Sequence, residues 1–258
     1  MKLYYRQYSE SGPPVVLLHG LYGNQANLAW HARKLAENFA VHALDARNHG
    51  QSPRSDSMTL EEMAADLVET LDALGLDRVS LMGHSMGGKV AMLCALQQPQ
   101  RVQSLVIIDI APVDYHKPAD KVIGALLDLD LHEIAGRSDA DNRLSKQIPE
   151  KGVRDFLLTN LQRATDGSFT WRINLPVIAE FFPILTGWPT IEASYGAPVL
   201  FIRGEHSDYI LPAHADSINS HFPGAKVITV SGAGHWVHSE KQEAVLRLAQ
   251  RFLEYSVE

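Results

Sequence analysis

One cysteine, Cys94, occurs in 258 residues. An internal disulfide is therefore impossible, and nothing resembles a zinc cluster. Low cysteine use fits a reducing compartment. No stretch approaches the roughly 20 apolar residues that a membrane helix needs. The opening segment MKLYYRQYSESG has no long apolar run and does not read as a signal peptide. Positive charge is in deficit: 23 Lys and Arg face 30 Asp and Glu, a formal net charge of −7. That balance argues against wholesale binding to nucleic acid or anionic membrane, both of which need basic faces. Repeats and low-complexity tracts are absent, as are a P-loop and a G-x-G-x-x-G behind a strand, so no organic cofactor is expected. The chain reads as a soluble, cytoplasmic protein with no metal, no nucleic-acid partner and no membrane insertion. The expected partner is a small molecule.

What is present is an ordinary globular composition, 45% hydrophobic and 21% charged, enough to bury a sizeable core. Short apolar runs bounded by turn residues recur at Val15–Leu18, Ala40–Leu44, Val79–Met82, Leu105–Ile108 and Val199–Ile202, with a weaker one at Val227–Val230. Such continuous runs read as strands buried on both faces. Between them lie helical patterns. Leu60, Met63, Ala64, Leu67, Val68, Leu71 and Leu74 recur at three- and four-residue steps, with a Thr59/Glu62 capping box and Gly75 as C-cap. A second helix is expected from Met86 to about Gln97, and a last one from near Ser239, whose Gln242 suits another capping box. This alternation predicts an α/β fold with a mostly parallel, doubly wound sheet. It fails between about Val113 and Ala193, where Phe156, Phe169, Trp171, Phe181, Phe182 and Trp188 crowd together. The expected organisation is a core of residues 1–112 and 193–258 with a helical cap inserted at 113–192. Ligand sites in open α/β sheets lie beyond the strands' C-terminal ends, which is where such a cap sits.

Three motifs carry chemistry. Gly83-His84-Ser85-Met86-Gly87 follows a strand-like run and precedes a helix, the context of a nucleophile elbow. The turn is sharp and its flanks pack closely, hence the glycines, and Ser85 is left exposed at a helix N-terminus. The plainer alternative, a serine N-cap after a glycine-rich turn, leaves the strand before it unexplained. His19-Gly20-Leu21 ends the first buried strand. A tight turn there aims the Leu21 N–H at the nucleophile, where with the Met86 N–H it forms an oxyanion hole. Each such donor is worth about 2.7–4 kcal/mol in the transition state. His19 itself reads as a brace for its loop. Gly232-Ala233-Gly234-His235-Trp236 lies between the last strand and the last helix. Small residues before His235 leave room for its imidazole to reach Ser85, and His238 three residues on reads as helix-edge surface. The acid that orients His235 has two candidates from the residues alone, Asp109 after Leu105–Ile108 and Asp208 after Val199–Ile202. Asp45 reads as a loop brace, Asp114 as a weak candidate, and Cys94 as helix core.

Together His19-Gly20, the segment DARNHGQSP at residues 45–53, Gly83–Gly88 and Gly232–His235 resemble the α/β-hydrolase superfamily over nearly the whole chain. Ile108–Tyr115, Trp171–Asn174 and Gly234–His238 are similar to bacterial YbfF-type acyl esterases. The resemblance implies a small helical cap and hydrolysis of esters or acyl thioesters, acyl-CoA included. It also implies an acid. Many superfamily members place Asp three residues after the glycine that ends the strand matching Val199–Ile202. Here that position is Ser207, and Asp208 falls one step late. YbfF-type enzymes also carry serine there and use the earlier aspartate, which matches Asp109, with Ser207 as an accessory member.

The expected reaction is acyl transfer to Ser85 with His235 as general base, then release by water. Trp171, Phe181, Phe182 and Trp188 are expected to bind the acyl chain. Two other readings use the same residues: a carbon–carbon bond hydrolase or lyase on the same serine, and a non-catalytic small-molecule receptor.

Overall fold

The computed structural model describes residues 1–115 and 121–257. In chain order the elements are β1 (Tyr5–Gln7), β2 (Pro14–Leu18), α1 (Ala29–Leu35), β3 (Ala40–Leu44), α2 (Leu60–Leu74), β4 (Val79–His84), α3 (Met86–Gln97) and β5 (Val102–Ile108). Then follow α4 (Lys121–Leu127), α5 (Arg137–Leu144), α6 (Lys151–Leu157), β6 (Leu161–Arg163), β7 (Phe169–Trp171) and α7 (Leu175–Thr186). The chain closes with β8 (Val199–Gly204), α8 (Ala215–His221), β9 (Lys226–Val230), α9 (Val237–Glu240) and α10 (Gln242–Val257).

Seven strands form one sheet in the order β1-β3-β2-β4-β5-β8-β9, parallel except for the antiparallel edge strand β1. The expected mostly parallel sheet is thus present. The six apolar runs are its parallel strands, and β1 has no comparable sequence signal because it is three residues long and largely exposed. Successive strand side chains point to opposite faces. Val16, Leu18, Leu81, Leu105 and Ile107 accordingly pack with α2 and α3, while Val15, Leu17, Met82, Val106 and Ile108 pack with α1 and α10. Burial on both faces is why these strands read as unbroken apolar runs.

The α2 capping box is present: the Glu62 N–H donates to Thr59 Oγ1, and the Thr59 N–H donates to Glu62 Oε2. Gly75 ends the helix at φ 68°. The C-terminal expectation is corrected. Ser239 does not cap the last helix, because it lies inside the single turn α9, whose N–H groups at Ser239 and Glu240 bond the Trp236 carbonyl. The chain breaks at Lys241 before α10 begins.

The segment between β5 and β8 holds α4 to α7 and the β6–β7 hairpin, two three-residue strands that the sequence pattern does not announce. Residues 116–120 of the expected cap lie outside the described residues. Both ends of the segment are tied to α3 by one buried cation. The Lys89 ammonium donates to the carbonyls of Val113 (3.2 Å), Thr186 (2.8 Å) and Gly187 (2.5 Å). An ammonium is costly to bury without partners of this kind. Cys94 is fully buried in α3, and burial pushes its thiol up to about 12, as its core reading requires. No helix among the described residues is long and apolar enough to cross a membrane.

Six histidines are buried among the described residues, and burial lowers each one. His19 and His31 fall to about 4, His49 and His238 to about 3, His84 lies well below 6.5, and His42 is lowered as well. In the unfolded chain each titrates near its ordinary value of about 6.5. Between that value and the depressed one, the unfolded state binds protons that the folded state refuses. Stability is therefore intact above about pH 6.5 and falls as the pH drops towards 4, by up to about 1.4 kcal/mol per pH unit for each histidine. Thermal melts are expected to show a steep loss of Tm between about pH 6.5 and 4.5. A flat Tm across that window would contradict the burial of these rings as neutral groups.

Candidate active site

The C-terminal ends of β2, β4, β5 and β8, with the loop after β9, meet above the sheet. The junction of β4 and α3 puts Ser85 at φ 52° and ψ −119°, in the left-handed region that a side chain normally avoids. Glycine is required around it: a Cβ at Gly87 would lie 2.5 Å from the Leu18 carbonyl oxygen, and one at Gly83 would overlap the Gly87 carbonyl. The Ser85 N–H donates to the Ile108 carbonyl (3.0 Å), which fixes the turn against β5.

Asp109 follows β5 directly, is fully buried, and is also left-handed at φ 52°. Its Oδ1 accepts the Gly204 N–H at 2.9 Å. Its Oδ2 accepts the Ser207 hydroxyl and, at 2.8 Å, His235 Nδ1–H. A carboxylate only accepts, so the proton of neutral His235 sits on Nδ1 and Nε2 is a free lone pair. Ser85 Oγ–H donates to that Nε2 at 3.1 Å. Asp208 is exposed and makes no hydrogen bond to His235 among the described residues. Asp114 instead accepts the Trp188 N–H, and Asp45 accepts the N–H groups of Gln25 and Gln51, a loop brace as expected.

Three further residues hold the imidazole. Tyr209 stacks on it, with ring centroids 3.8 Å apart and planes 19° apart. Ala111 N–H donates to the Tyr115 hydroxyl, which itself donates to the Tyr209 carbonyl at 2.6 Å. Burial raises the Tyr115 phenol, so it stays protonated for that role. His84 Nε2–H donates to the His235 carbonyl at 3.0 Å. His238 corrects the expectation of a surface residue. It is buried, with its ring 4.1 Å from that of His84, because α9 turns its first residues inward under the His235 loop.

Next to Ser85 and His235 lies a cavity of about 170 Å³. Leu21 and Met86 line it, and neither N–H donates to another described residue. Of the four aromatics expected to bind an acyl chain, Phe182 alone lines the cavity. Neighbouring positions on α7 point about 100° apart. Phe182 therefore shares its inward face with Ile178 and Leu185, while Phe181 packs against the core from the side. Trp171 is buried on the β6–β7 hairpin. The Trp188 indole is turned to His221, with Nε1–H donating to Nε2 at 3.4 Å. The remaining aromatic lining comes from Tyr22, Tyr115, Phe156, Tyr209 and Trp236, of which only Phe156 belongs to the aromatics crowded into the expected cap. Trp236 directly follows His235 in its motif, and Tyr115 closes the stretch Ile108–Tyr115 that contains Asp109, so those placements were the available signal.

A family model described as alpha/beta hydrolase fold matches residues 13–242. The chain belongs to the α/β-hydrolase family. It is a hydrolase. It is 40% identical to Esterase YbfF of Escherichia coli, over 96% of this chain and 95% of that protein. It is 41% identical to the sn-1-specific diacylglycerol lipase ABHD11 of Xenopus laevis, over 94% of this chain and 80% of the relative. A solved structure titled "Marine microorganism esterase" superposes with a TM-score of 0.95 at 38% identity, covering 97% of this chain and 99% of that one.

The two aspartates separate kinetically. Asp109→Asn removes the acceptor that fixes the imidazole tautomer, and a change of that kind costs about 10⁴ in kcat. Asp208→Asn is expected to stay within about threefold of the parent, since no contact to His235 is lost. Steady-state kinetics on both folded variants check this, and the reverse order would reassign the acid.

Proposed function

We propose that this hydrolase cleaves carboxylic esters through an acyl-enzyme on Ser85. The observation that carries the reading is the continuous hydrogen-bond chain from Ser85 Oγ through His235 to Asp109, opening on a cavity beside two N–H groups. His235 takes the serine proton as Oγ attacks the carbonyl carbon. The oxygen of the tetrahedral intermediate is held by the N–H groups of Leu21 and Met86. The same imidazole, now protonated, passes its proton to the departing alcohol and then activates water for deacylation. Asp109 stabilises the imidazolium, and Ser207 keeps one Asp109 oxygen occupied and directed. Residues 113–192 act as the cap, contributing Phe156, Phe182 and Leu185 to the acyl wall.

Size and charge narrow the substrate. An engineered cavity of about 150 Å³ takes up benzene, so about 170 Å³ suits a short or small aromatic acyl group. Lys89 is the one lysine or arginine among the residues lining the cavity, and three carbonyls already hold its ammonium. That arrangement supports an ester of an uncharged alcohol over an acyl-CoA thioester, whose phosphates need cations.

The test is a panel of p-nitrophenyl esters of graded chain length, with the matching acyl-CoAs. Short esters are expected to be turned over fastest. Ser85→Ala should lose several orders of magnitude while remaining folded, and Phe182→Ala should move the optimum to longer chains. Activity of Ser85→Ala within tenfold of the parent would sink the nucleophile assignment. Preference for acyl-CoA would overturn the substrate reading alone.

A further inference from the structure

Two conspicuous sequence segments, residues 45–53 and 171–174, have no part in the chemistry above, yet both belong to the scaffold around the turn that carries Leu21. That turn is closed by the Gly23 N–H donating to the Gly20 carbonyl at 3.0 Å. Within it Tyr22 adopts φ 62°, a left-handed conformation in which a bulky side chain is strained. Such a conformation persists only when the surroundings over-determine it.

The surroundings do so on both peptides of Tyr22. Its N–H donates to His49 Nε2 at 3.2 Å. His49 Nδ1–H in turn donates to the Arg47 carbonyl at 3.0 Å, which leaves Nε2 as an acceptor. On the other side, the Tyr22 carbonyl accepts Asn160 Nδ2–H at 2.7 Å. Asn160 belongs to the segment between β5 and β8, just before β6, and is fully buried. Its amide orientation is fixed by its neighbours: Nδ2 faces two carbonyls, of Tyr22 and Leu157, which can only accept. Its Oδ1 has no hydrogen-bond partner among the described residues. A side chain kept merely to fill this space has no need of an amide. The same segment is also latched to the 45–53 loop, since Asn174 N–H donates to the Asn48 carbonyl and Asn174 Nδ2–H to Asn48 Oδ1.

We infer that Asn160 is a positioning residue for the oxyanion hole: with His49 it clamps Tyr22 in its strained conformation and so aims the Leu21 N–H at the reacting carbonyl. Docking of the β5–β8 segment and competence of the hole are thereby one event. The inference rests on the proposed role of Leu21.

Asn160→Leu keeps the branched shape of the side chain, with bulkier methyl groups in place of the amide oxygen and nitrogen, and cannot donate. Asn160→Ser, shorter and also without the bond, is measured beside it, so that a folding failure in one leaves the other to decide. Each folded variant is assayed on an oxygen ester and on its thionoester. The thiono sulfur is a poor hydrogen-bond acceptor, so the oxo-to-thiono ratio of kcat/KM reports the hole itself. The expected result is a fall in kcat of about 10- to 100-fold, from a displaced donor. KM should stay within about threefold, and the oxo-to-thiono ratio should collapse in proportion to kcat. A structural filler predicts full activity and an unchanged ratio in Asn160→Leu, and that outcome overturns the inference. A parent enzyme with no oxo preference at all would instead overturn the oxyanion-hole reading of Leu21, and this inference with it.

Discussion

Ser85 is held where a serine does not rest by choice. Its left-handed backbone is imposed by β4 on one side and α3 on the other, and the turn between them is too tight for a Cβ at Gly83 or Gly87. Conformations of this kind cost about 1–3 kcal/mol and must be supported by their surroundings. The support here is the sheet itself: the Ser85 N–H is anchored on β5, and the Lys89 N–H returns to the Ser85 carbonyl to start the helix. Because the strain is met in that way, Ser85 Oγ reaches His235 Nε2 at the edge of the cavity that Met86 also lines. The other parts of the site are arranged around that fixed point.

Parallel strands make the arrangement economical in chain. Every C-terminal strand end opens on the same edge, so β2 delivers the Leu21 turn, β4 the serine, β5 Asp109, and β8 Gly204 and Ser207. Asp109 repeats the device used at Ser85, with a left-handed residue at the end of a buried strand. Its carboxylate ties the ends of β5 and β8 to the loop after β9. The left-handed Tyr22 is a third case, held by side chains instead of strands. The site is therefore rigid at its sheet side. On its other side the segment between β5 and β8 shares one apolar core with α2, α3 and the sheet, and polar contacts of Lys89, Asn160 and Asn174 fix its position.

Most of this was legible in the residues, for a physical reason. Strands buried on two faces write themselves as continuous apolar runs, and an elbow must be written with glycines. What stayed hidden was set by tertiary packing. His238 reads as surface because a three-residue spacing from His235 says nothing of what packs behind α9. Phe181 and Phe182 are chemically equal in sequence, and only the phase of α7 separates them. Ser239 and Gln242 have capping-box spacing, but Ser239 lies in α9, whose N–H groups are spent on the Trp236 carbonyl, while Gln242 already opens α10. The hairpin β6–β7 has strands of three residues, too short for a period to register. The choice between Asp109 and Asp208 was open on spacing alone. The geometry brings Asp109 to His235 and leaves Asp208 in solvent.

The central claim is that Ser85 Oγ is the attacking atom. It is tested most directly by treating the folded protein with a p-nitrophenyl alkylphosphonate, which leaves a stable adduct on an activated serine. Residual activity is followed while the modified peptide is mapped by mass spectrometry. The expected result is one phosphonyl group per chain, on Ser85, with activity lost in step with its incorporation. An adduct on a different residue, or full activity in protein modified at Ser85, would contradict it.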